Sequence, residues 1–387
     1  MRRRSQTTTD RPLAAIAEPP FREGRQLNLF ENPETARQLD QALWYRSFER
    51  SRSNIHQLSP YEHRLSPAVV QVLIDLYSKP GDIVLDPFSG SGTVAFEVAA
   101  ADRLAWANDL NPYAYALTRA KLEMPNSVRL AVQQAIAIVD QVETLAPTFD
   151  LNQHSAWVQA FFQPDTLREI GAAFELLKPQ ENFFLMACLL GILHHTRPGY
   201  LSYPTSQTSP YLRKASYPPE QYPELYEYRD VRSRLLTKIR RLYQHATFPQ
   251  TWGQRRSQVW QMDAATLPLA DASVDAIITA PPYPGACGYV RDHRLRLHFL
   301  GHSQWQTLHE SLIQSHDFRD RMGACLATLA RVLKPGGYCV FAFSKPARHI
   351  QLSQVISTFG TLAIETTEQR LAVQTTHEDS ILVMQRT

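Results

Sequence analysis

The fold is decided by one stretch of sequence, Ile83-Val84-Leu85-Asp86-Pro87-Phe88-Ser89-Gly90-Ser91-Gly92-Thr93. Its first three residues form a short apolar run, which is typical of strands buried in a parallel sheet. The eight residues Asp86–Thr93 are mostly small, so they allow a turn whose backbone can approach a ligand closely. A helical segment follows, and the free N–H groups at a helix N-terminus attract anions. The stretch therefore predicts strand, turn and helix with a ligand at the turn. It lacks the Gly-Lys-Ser/Thr ending of a nucleoside triphosphate loop.

The flanking segments alternate between helix and strand signals. Ser66-Pro67 is a typical helix start, with a hydroxyl cap and a proline at the first helical position. Leu104–Ala107 predicts a second strand, and Pro112 opens the next helix. This alternation predicts a doubly wound α/β fold, which we expect to be seven-stranded. Strand signals resume later in the chain, at residues 259–262, 276–279 and 338–343. The last two predicted strands, residues 362–372 and 380–384, suggest a closing antiparallel hairpin.

The alternation is interrupted, which divides the chain into parts. Residues 1–55 are polar, rich in proline and without a sustained period, and we expect a loosely ordered arm. Residues 56–124 and 257–387 carry the α/β pattern and form the predicted catalytic domain. Residues 125–256 show mainly amphipathic helices, so they predict a helical insertion.

Composition excludes several classes of protein. Of 387 residues, 44% are hydrophobic, which is ample for a sizeable core. No apolar run approaches the roughly 20 residues that span a bilayer, and Met1–Arg4 is followed by polar residues, unlike a secretory signal. The four cysteines, Cys188, Cys287, Cys325 and Cys339, lie far apart in the sequence. We therefore expect free thiols and no metal site. We also expect a cytoplasmic, nucleoid-associated location, because free thiols are typical of a reducing compartment.

The charge of the chain is unevenly distributed. The net charge is only +3, but residues 197–256 hold eleven Lys/Arg against four Asp/Glu, a difference of +7. Such an excess is suited to a polyanion, and it is equally typical of a solvated helix face. Both interpretations stay open. The eleven cations are Arg197, Arg213, Lys214, Arg229, Arg232, Arg234, Lys238, Arg240, Arg241, Arg255 and Arg256.

Two further carboxylates follow predicted strands. Asp109 ends the second strand, where a carboxylate can accept hydrogen bonds from both hydroxyls of a ribose. Taken alone, Asp109 would more often cap the helix that Pro112 opens. Asp263 follows the third strand, and taken alone it would be a turn aspartate.

The segment Thr279-Ala280-Pro281-Pro282-Tyr283 follows the fourth strand. Two prolines rigidify the turn and leave carbonyl oxygens that no strand partner claims. An exocyclic amino group of a nucleobase is a poor nucleophile, because its lone pair is delocalised into the ring. Acceptors for both of its hydrogens favour a tetrahedral nitrogen, and a stacked aromatic ring holds the flipped base.

The turn Asp86–Thr93 resembles motif I of amino-group DNA methyltransferases, Asp-Pro-Phe-x-Gly-Ser-Gly-Thr, at every defined position. This resemblance implies the methyltransferase fold and S-adenosylmethionine as the cofactor. It also implies that Asp263 binds the adenine amino group. Ser59–Pro67 looks like motif X, with Arg64 where the family often has lysine. The candidate cofactor residues are Arg64, Asp86, Pro87, Phe88, Ser89, Gly90, Ser91, Gly92, Thr93, Asp109 and Asp263.

The second turn resembles motif IV of the same family, usually Asp/Asn/Ser-Pro-Pro-Tyr/Phe, whose Thr-Ser-Pro-Pro-Tyr form is associated with cytosine N4. Here Ala280 replaces the polar residue. By this resemblance the Pro281 carbonyl accepts one hydrogen and Tyr283 stacks on the base. Either Thr279, a water or another loop supplies the second acceptor, or activity is low. The candidate catalytic residues are Thr279, Ala280, Pro281, Pro282 and Tyr283.

The motif order resembles the class in which DNA recognition lies between motifs I and IV. This implies double-stranded DNA as a partner, and a cognate restriction endonuclease is a possible second one. Arg213 and Lys214 in the insertion, with Arg291 and Arg294 after the turn, are the candidate DNA contacts. The alternatives are a structural cover over the sheet and a solvated helix.

Other activities fit the sequence less well than cytosine-N4 methylation does. Methylation at cytosine C5 needs a cysteine nucleophile, and Cys287 is not in the Pro-Cys pair that such enzymes use. Adenine N6 ranks below cytosine N4, because position 280 is not acidic. An RNA or protein-amide methyltransferase and a catalytically silent DNA-binding relative remain as alternatives.

Overall fold

The computed structural model describes residues 53–61, 64–206, 209–253, 257–282, 289–313, 316–343, 364–367, 373–374 and 378–386. Apart from residues 53–55, the predicted arm lies outside this range, as do Tyr283 and Cys287. Among the described residues, no helix combines the length and the apolar character needed to cross a bilayer.

A mixed sheet forms the centre of the protein. Its order is β3-β2-β1-β4-β5-β8-β6, and β7 pairs with β8. Strands β1 to β5 pair in parallel, whereas β8 runs antiparallel to β5 and β6. The prediction of a mostly parallel α/β sheet is confirmed. The seven-strand count and the hairpin stay predictions, because the connecting residues lie outside the described range. The strands are β1 (Ile83–Asp86), β2 (Leu104–Asn108), β3 (Gln258–Trp260), β4 (Val274–Thr279), β5 (Leu333–Phe343), β6 (Ile364–Thr367), β7 (Val373–Gln374) and β8 (Glu378–Arg386).

Helices surround the sheet, and local sequence sets several of their ends. Pro112 stands at the first position of its helix, and the Asn111 side chain accepts a hydrogen bond from Tyr113 N at 3.0 Å. The helices are α1 (Pro67–Tyr77), α2 (Thr93–Ala100), α3 (Pro112–Leu122), α4 (Val128–Leu145), α5 (Ala156–Gln159), α6 (Pro164–Leu177), α7 (Phe183–Ile192), α8 (Val231–Leu242), α9 (Tyr289–Asp292), α10 (Arg294–Phe299), α11 (Trp305–Ser311) and α12 (Phe318–Val332). Short 3₁₀ turns span Asn54–Gln57, Ala146–Thr148, Leu151–Gln153, Pro223–Tyr226 and Ala264–Thr266.

Each face of the sheet contributes to its own apolar core. Side chains alternate along a strand, so Val84 and Leu85 of β1 enter different clusters. Val84 packs with residues of α1 and α2, whereas Leu85 packs with residues of α12 and of the 3₁₀ turn Ala264–Thr266. Both faces are therefore covered, as the apolar runs of the parallel strands predict.

The helices of residues 125–256 form a third core that is continuous with the catalytic part. Tyr113 and Leu117 of α3 lie in the same cluster as side chains of α4, α6, α7 and α8. Gly191 of α7 lies close to the backbone of Leu58, because a Cβ added to Gly191 would be 2.1 Å from the Leu58 carbonyl oxygen. Among the described residues, this third core joins the insertion to α2, α3 and the segment before α1 and contains no residue of the strands. Its boundaries stay a prediction.

Much of the positive charge between residues 197 and 256 is engaged within the protein. Arg229 is buried and donates to the carbonyl oxygens of Tyr200 (3.0 Å), Ser202 (2.5 Å) and Leu225 (2.8 Å). Among the described cations, three more have acidic or carbonyl partners: Arg232 with Asp140 and Glu143, Arg234 with Asp230, and buried Lys238 with the Gln57 carbonyl. The excess of +7 therefore overstates the charge that is available to a polyanion.

We expect acid to destabilise the protein through a histidine pair. His154 Nδ1 and His298 Nε2 are 2.9 Å apart, so protonation of both rings would remove the acceptor of this hydrogen bond. Burial, with His154 and Lys178 nearby, lowers the pKa of His298 to about 4. Between pH 6.5 and 4 the unfolded chain therefore binds more protons at this histidine than the folded protein does. As a result, the free energy of unfolding decreases as pH falls from about 6.5 towards 4.

At 1.36 kcal/mol per pKa unit, the shift of His298 changes the free energy of unfolding by at most about 3 kcal/mol over this pH range. Because the ring is partly exposed, solvent screening reduces this change to on the order of 1 kcal/mol. Denaturant unfolding of the wild-type protein and of His298→Gln between pH 7 and 4.5 tests this. The variant should lose less stability over this range, and equal losses would show that His298 does not contribute.

Candidate active site

A cavity opens where the carboxyl ends of β1 and β4 lie side by side. The two strands pair in parallel, and β2 and β5 flank them on opposite sides, so the strand order reverses here. Ligands of open α/β sheets bind at such a switch point. The empty space of the cavity, including its part open to solvent, is about 1240 Å³. The wall includes many of the predicted site residues: Arg64, Asp86, Phe88, Ser89, Gly90, Ser91, Thr93, Asp109, Asp263, Ala280, Pro281 and Pro282.

The glycine turn between β1 and α2 needs its glycines for conformation and for packing. Gly90 and Gly92 have φ values of 50° and 71°, in the region that side chains disfavour. A Cβ on Gly92 would lie 2.8 Å from Thr118 Cα. The Ser89 and Thr118 hydroxyl oxygens are 2.8 Å apart. The turn is therefore fixed against α3. Gly92 and Pro87 belong to this turn but do not line the cavity.

Asp109 links the turn to α3. Its Oδ2 accepts a hydrogen bond from Gly90 N at 2.8 Å, and its Oδ1 accepts one from Asn111 N at 2.9 Å. Burial raises the pKa of Asp109 to about 6. The helix cap is Asn111, so Asp109 is not the cap that its sequence position also suggested. Each oxygen of the Asp109 carboxylate can accept a further hydrogen bond from a ligand.

Asn111 is a site residue that the sequence analysis missed. It lines the cavity beside Asp109. Its Nδ2 is buried and has no hydrogen-bond partner within the described ranges. A buried donor without an acceptor is costly, so the amide group of Asn111 stands out among the residues of the cavity wall.

Asp86 and Thr279 form a buried pair across β1 and β4. The Thr279 hydroxyl donates to Asp86 Oδ1 at 2.6 Å, and Phe88 N donates to the same oxygen at 3.3 Å. Burial raises the pKa of Asp86 to about 7, with a smaller contribution from the negative charge of Asp109. Thr279 is completely buried and does not line the cavity. The Thr279 side chain faces Asp86 and not the cavity, so a water or another loop is the predicted source of the acceptor that position 280 lacks.

Asp263 also lines the cavity, and both of its carboxylate oxygens have partners. Its Oδ1 caps the turn Ala264–Thr266 through Ala265 N at 2.9 Å. Its Oδ2 pairs with Arg321 Nη2 at 2.8 Å, and Arg321 Nη1 donates to the Ser311 carbonyl at 2.8 Å. Asp263 is thus a turn aspartate that also faces the cavity. Arg321 was missed, because only the packing of α12 brings it here.

The two predicted turns meet in this cavity. Gly90 of the first turn and Pro281 of the second both line it, together with Ala280 and Pro282. Arg64 also lines it, and its guanidinium donates to the His56 carbonyl. The roles assigned to these residues stay predictions. Tyr283, the predicted stacking residue, lies outside the described range.

The candidate DNA contacts lie where the insertion approaches the segment after the second turn. Arg294 donates to the Pro210 carbonyl at 3.0 Å, and its guanidinium carbon lies 5.1 Å from the centre of the Trp157 ring. Arg291 lies 3.6 Å from Asp292 and stays largely exposed. In the insertion, the Arg213 guanidinium lies over the Tyr217 ring and Lys214 is exposed. Within the described residues, no cluster of three or more ligands suits a metal ion.

The sequence matches the DNA methylase family over residues 16–119. This span contains the glycine turn and Asp109 and ends before the second turn. The match supports a methyltransferase, and S-adenosylmethionine is its cofactor. No curated protein matches the sequence.

Several solved structures are similar to the chain at low identity. TrmN from Thermus thermophilus is 13% identical, with 89% of this chain and 53% of that one covered and a TM-score of 0.32. A SAM-dependent methyltransferase from Methanosarcina mazei is 10% identical, with 81% and 96% covered and a TM-score of 0.34. The rRNA methyltransferase aviRa from Streptomyces viridochromogenes is 11% identical, with 88% and 92% covered and a TM-score of 0.33. The chain thus covers about half the length of the Thermus protein. At TM-scores this low, the likenesses carry no argument about the reaction.

Proposed function

We propose that this protein is a DNA methyltransferase that transfers a methyl group from S-adenosylmethionine to the exocyclic amino group of a flipped base, cytosine N4. It does so on a seven-stranded methyltransferase fold with a closing antiparallel hairpin. The observation that carries the proposal is that Gly90 and Pro281 line one cavity at the switch point of the sheet. A cofactor turn and a Pro-Pro turn that share a cavity can bring a methyl donor and a nucleobase nitrogen together.

The described residues fit S-adenosylmethionine, which when bound supplies an electrophilic methyl group on a sulfonium. The Asp109 carboxylate lines the cavity, and its oxygens can accept hydrogen bonds from ribose hydroxyls. The carboxylate oxygens of Asp263 each accept one hydrogen bond, from Ala265 N and from Arg321 Nη2. Their remaining lone pairs accept a hydrogen bond from the adenine amino group. The backbone N–H groups of the turn, which the Asp86 side chain anchors through Oδ1, and the Arg64 cation hold the carboxylate of the methionine end.

The target base enters from the side of Pro281. Its carbonyl oxygen accepts one hydrogen of the amino group, which directs the nitrogen lone pair towards the methyl group. The cavity is lined both by the cofactor turn and by Ala280, Pro281 and Pro282, which supports the binding of a cofactor and a base side by side. A flipped base is needed, because a stacked base cannot reach such a site.

Double-stranded DNA is the proposed partner. Arg213, Lys214, Arg291 and Arg294 would contact its phosphates and base edges. The Arg294–Pro210 hydrogen bond supports this, because it joins the insertion to the chain that follows the target-base turn. The family match, which is to DNA methylases, favours DNA over RNA.

The proposed function is tested by incubating the protein with methyl-labelled S-adenosylmethionine and either DNA or RNA. We expect label in DNA, and hydrolysis to nucleosides should give N4-methylcytosine. Label in N6-methyladenine would correct the target base. Label in RNA alone would favour an RNA methyltransferase, and no transfer to any nucleic acid would favour a catalytically silent DNA-binding protein.

Restoring the hydroxyl of the family motif should not harm the enzyme. We expect Ala280→Ser to keep or raise the rate of DNA methylation, because the added hydroxyl can accept a second hydrogen of the target amino group. Single-turnover methylation of the same DNA by both proteins gives the comparison. A large loss of rate in the variant would show that position 280 has a different task.

A further inference from the structure

Ala280 leaves the target amino group one acceptor short, and this inference rests on the proposed function. An amino group carries two hydrogens, and the Pro281 carbonyl accepts only one of them. The methyl group of Ala280 accepts none. Thr279 faces away from the cavity and donates to Asp86. The second acceptor must therefore come from another part of the cavity wall.

Three carboxylates line the described part of the cavity, and they differ in how their oxygens are used. Each Asp109 oxygen accepts one backbone N–H. The Asp263 oxygens accept Ala265 N and Arg321 Nη2. For Asp86, both hydrogen bonds from described residues go to Oδ1, from Thr279 and from Phe88. Of these six carboxylate oxygens, Oδ2 of Asp86 is the one that accepts no hydrogen bond from a described residue.

The position of Asp86 also fits. Strands β1 and β4 pair in parallel, with Leu85 opposite Ile277. Asp86 and Thr279 end these two strands, and the 2.6 Å hydrogen bond between them places the carboxylate next to the residue that precedes Ala280. Asp86 and Ala280 both line the cavity.

We propose that Asp86 Oδ2 accepts the second hydrogen of the target amino group, in place of the side chain that position 280 lacks. Thr279 is its positioning residue, because the Thr279 hydroxyl fixes Oδ1 and so orients Oδ2. In the reaction the bond between nitrogen and the methyl carbon forms. The carbon–sulfur bond breaks, and its electron pair stays on sulfur as a neutral thioether. One amino proton passes to Asp86 and then to water, while the other hydrogen stays on nitrogen.

The surroundings of Asp86 suit this task. Burial and the charge of Asp109 raise the pKa of Asp86, and the hydrogen bonds from Thr279 and Phe88 oppose this rise. The resulting value of about 7 makes the carboxylate an effective proton acceptor near neutral pH. A bound sulfonium would lower this pKa somewhat, which keeps the carboxylate ionised before transfer.

The test compares Asp86→Asn with the double variant Asp86→Asn/Ala280→Ser. Asparagine keeps an Oδ1 acceptor for Thr279 and Phe88 but replaces Oδ2 with a donor, so the turn stays anchored. We expect Asp86→Asn to bind S-adenosylmethionine within about threefold of wild type by calorimetry, and to methylate DNA about 100-fold more slowly in single turnover. Adding serine at position 280 should recover about tenfold or more of this loss.

Two further measurements separate this role from a structural one. The wild-type rate should fall as pH drops below the Asp86 pKa, and this fall should disappear in the double variant. Thr279→Val should lower the methylation rate without lowering the affinity for S-adenosylmethionine.

Several outcomes would overturn the proposal. Loss of cofactor binding in Asp86→Asn would make Asp86 a cofactor ligand, and a wild-type methylation rate would show that it accepts nothing from the base. A double variant no faster than Asp86→Asn would show that position 280 and Asp86 do different work. Any of these results leaves the proposed function intact, provided that the wild-type protein methylates DNA. A wild-type protein that transfers no methyl group would refute both.

Discussion

Asp86→Ala should lower the affinity for S-adenosylmethionine by roughly 100-fold and lower the rate of methylation with it. Alanine removes the acceptor for the Thr279 hydroxyl and for Phe88 N, which leaves buried donors unsatisfied at about 1–3 kcal/mol each. The end of β1 and the turn Asp86–Thr93 then lose their fixed arrangement. A loss of about 3 kcal/mol lowers the affinity by roughly 100-fold. Calorimetric titration with the cofactor measures this directly.

Asp165→Ala is the matched control for this variant. Asp165 is a largely exposed carboxylate on α6 that pairs with Arg168, so its removal leaves the cavity unchanged. We expect wild-type affinity from the control. If Asp86→Ala remains folded by circular dichroism and still binds the cofactor with wild-type affinity, the turn is not the cofactor site.

Gly92→Ala should have the second-largest effect. At a φ of 71° a side chain costs about 1–2 kcal/mol. The new Cβ would also lie 2.8 Å from Thr118 Cα, and forcing α3 away adds about 1–3 kcal/mol. We therefore expect a clear drop in the free energy of unfolding and a loss of cofactor binding, because α3 and the turn share the Ser89–Thr118 hydrogen bond.

Gly81→Ala separates strain from packing. Gly81 has a φ of 92° but open space around its Cα, so alanine there adds backbone strain without a clash. This control should lose about 1–2 kcal/mol of stability and keep its cofactor affinity. Equal behaviour of the two variants would show that the contact between the turn and α3 is unimportant for binding.

The local parts of the fold and site were predictable from the sequence. A strand, a glycine turn and a helix follow one another within a few residues, so Ile83–Asp86 and the helix from Thr93 were found close to their observed ends. The parallel register then brings the ends of β1 and β4 together, which explains why Gly90 and Pro281 share a cavity.

The remaining features depend on contacts that no local pattern encodes. Arg321 reaches Asp263 across 58 residues of sequence, through the packing of α12. The direction of the Thr279 side chain depends on Asp86 in the neighbouring strand. Arg229 looked like a surface cation, yet it holds a loop by three backbone carbonyls. Charge counting misleads here, because the sequence does not show which cations have partners.

The central claim is that the two turns hold a methyl donor and a base nitrogen in line. A crystal structure with a cofactor analogue that carries an amine in place of the sulfonium methyl tests it most directly. Reacting atoms approach to about 3–3.5 Å and a hydrogen bond spans about 3 Å, so the amine should lie within about 6 Å of the Pro281 carbonyl oxygen. An amine more than about 10 Å from that oxygen, or an analogue bound outside this cavity, would contradict the account.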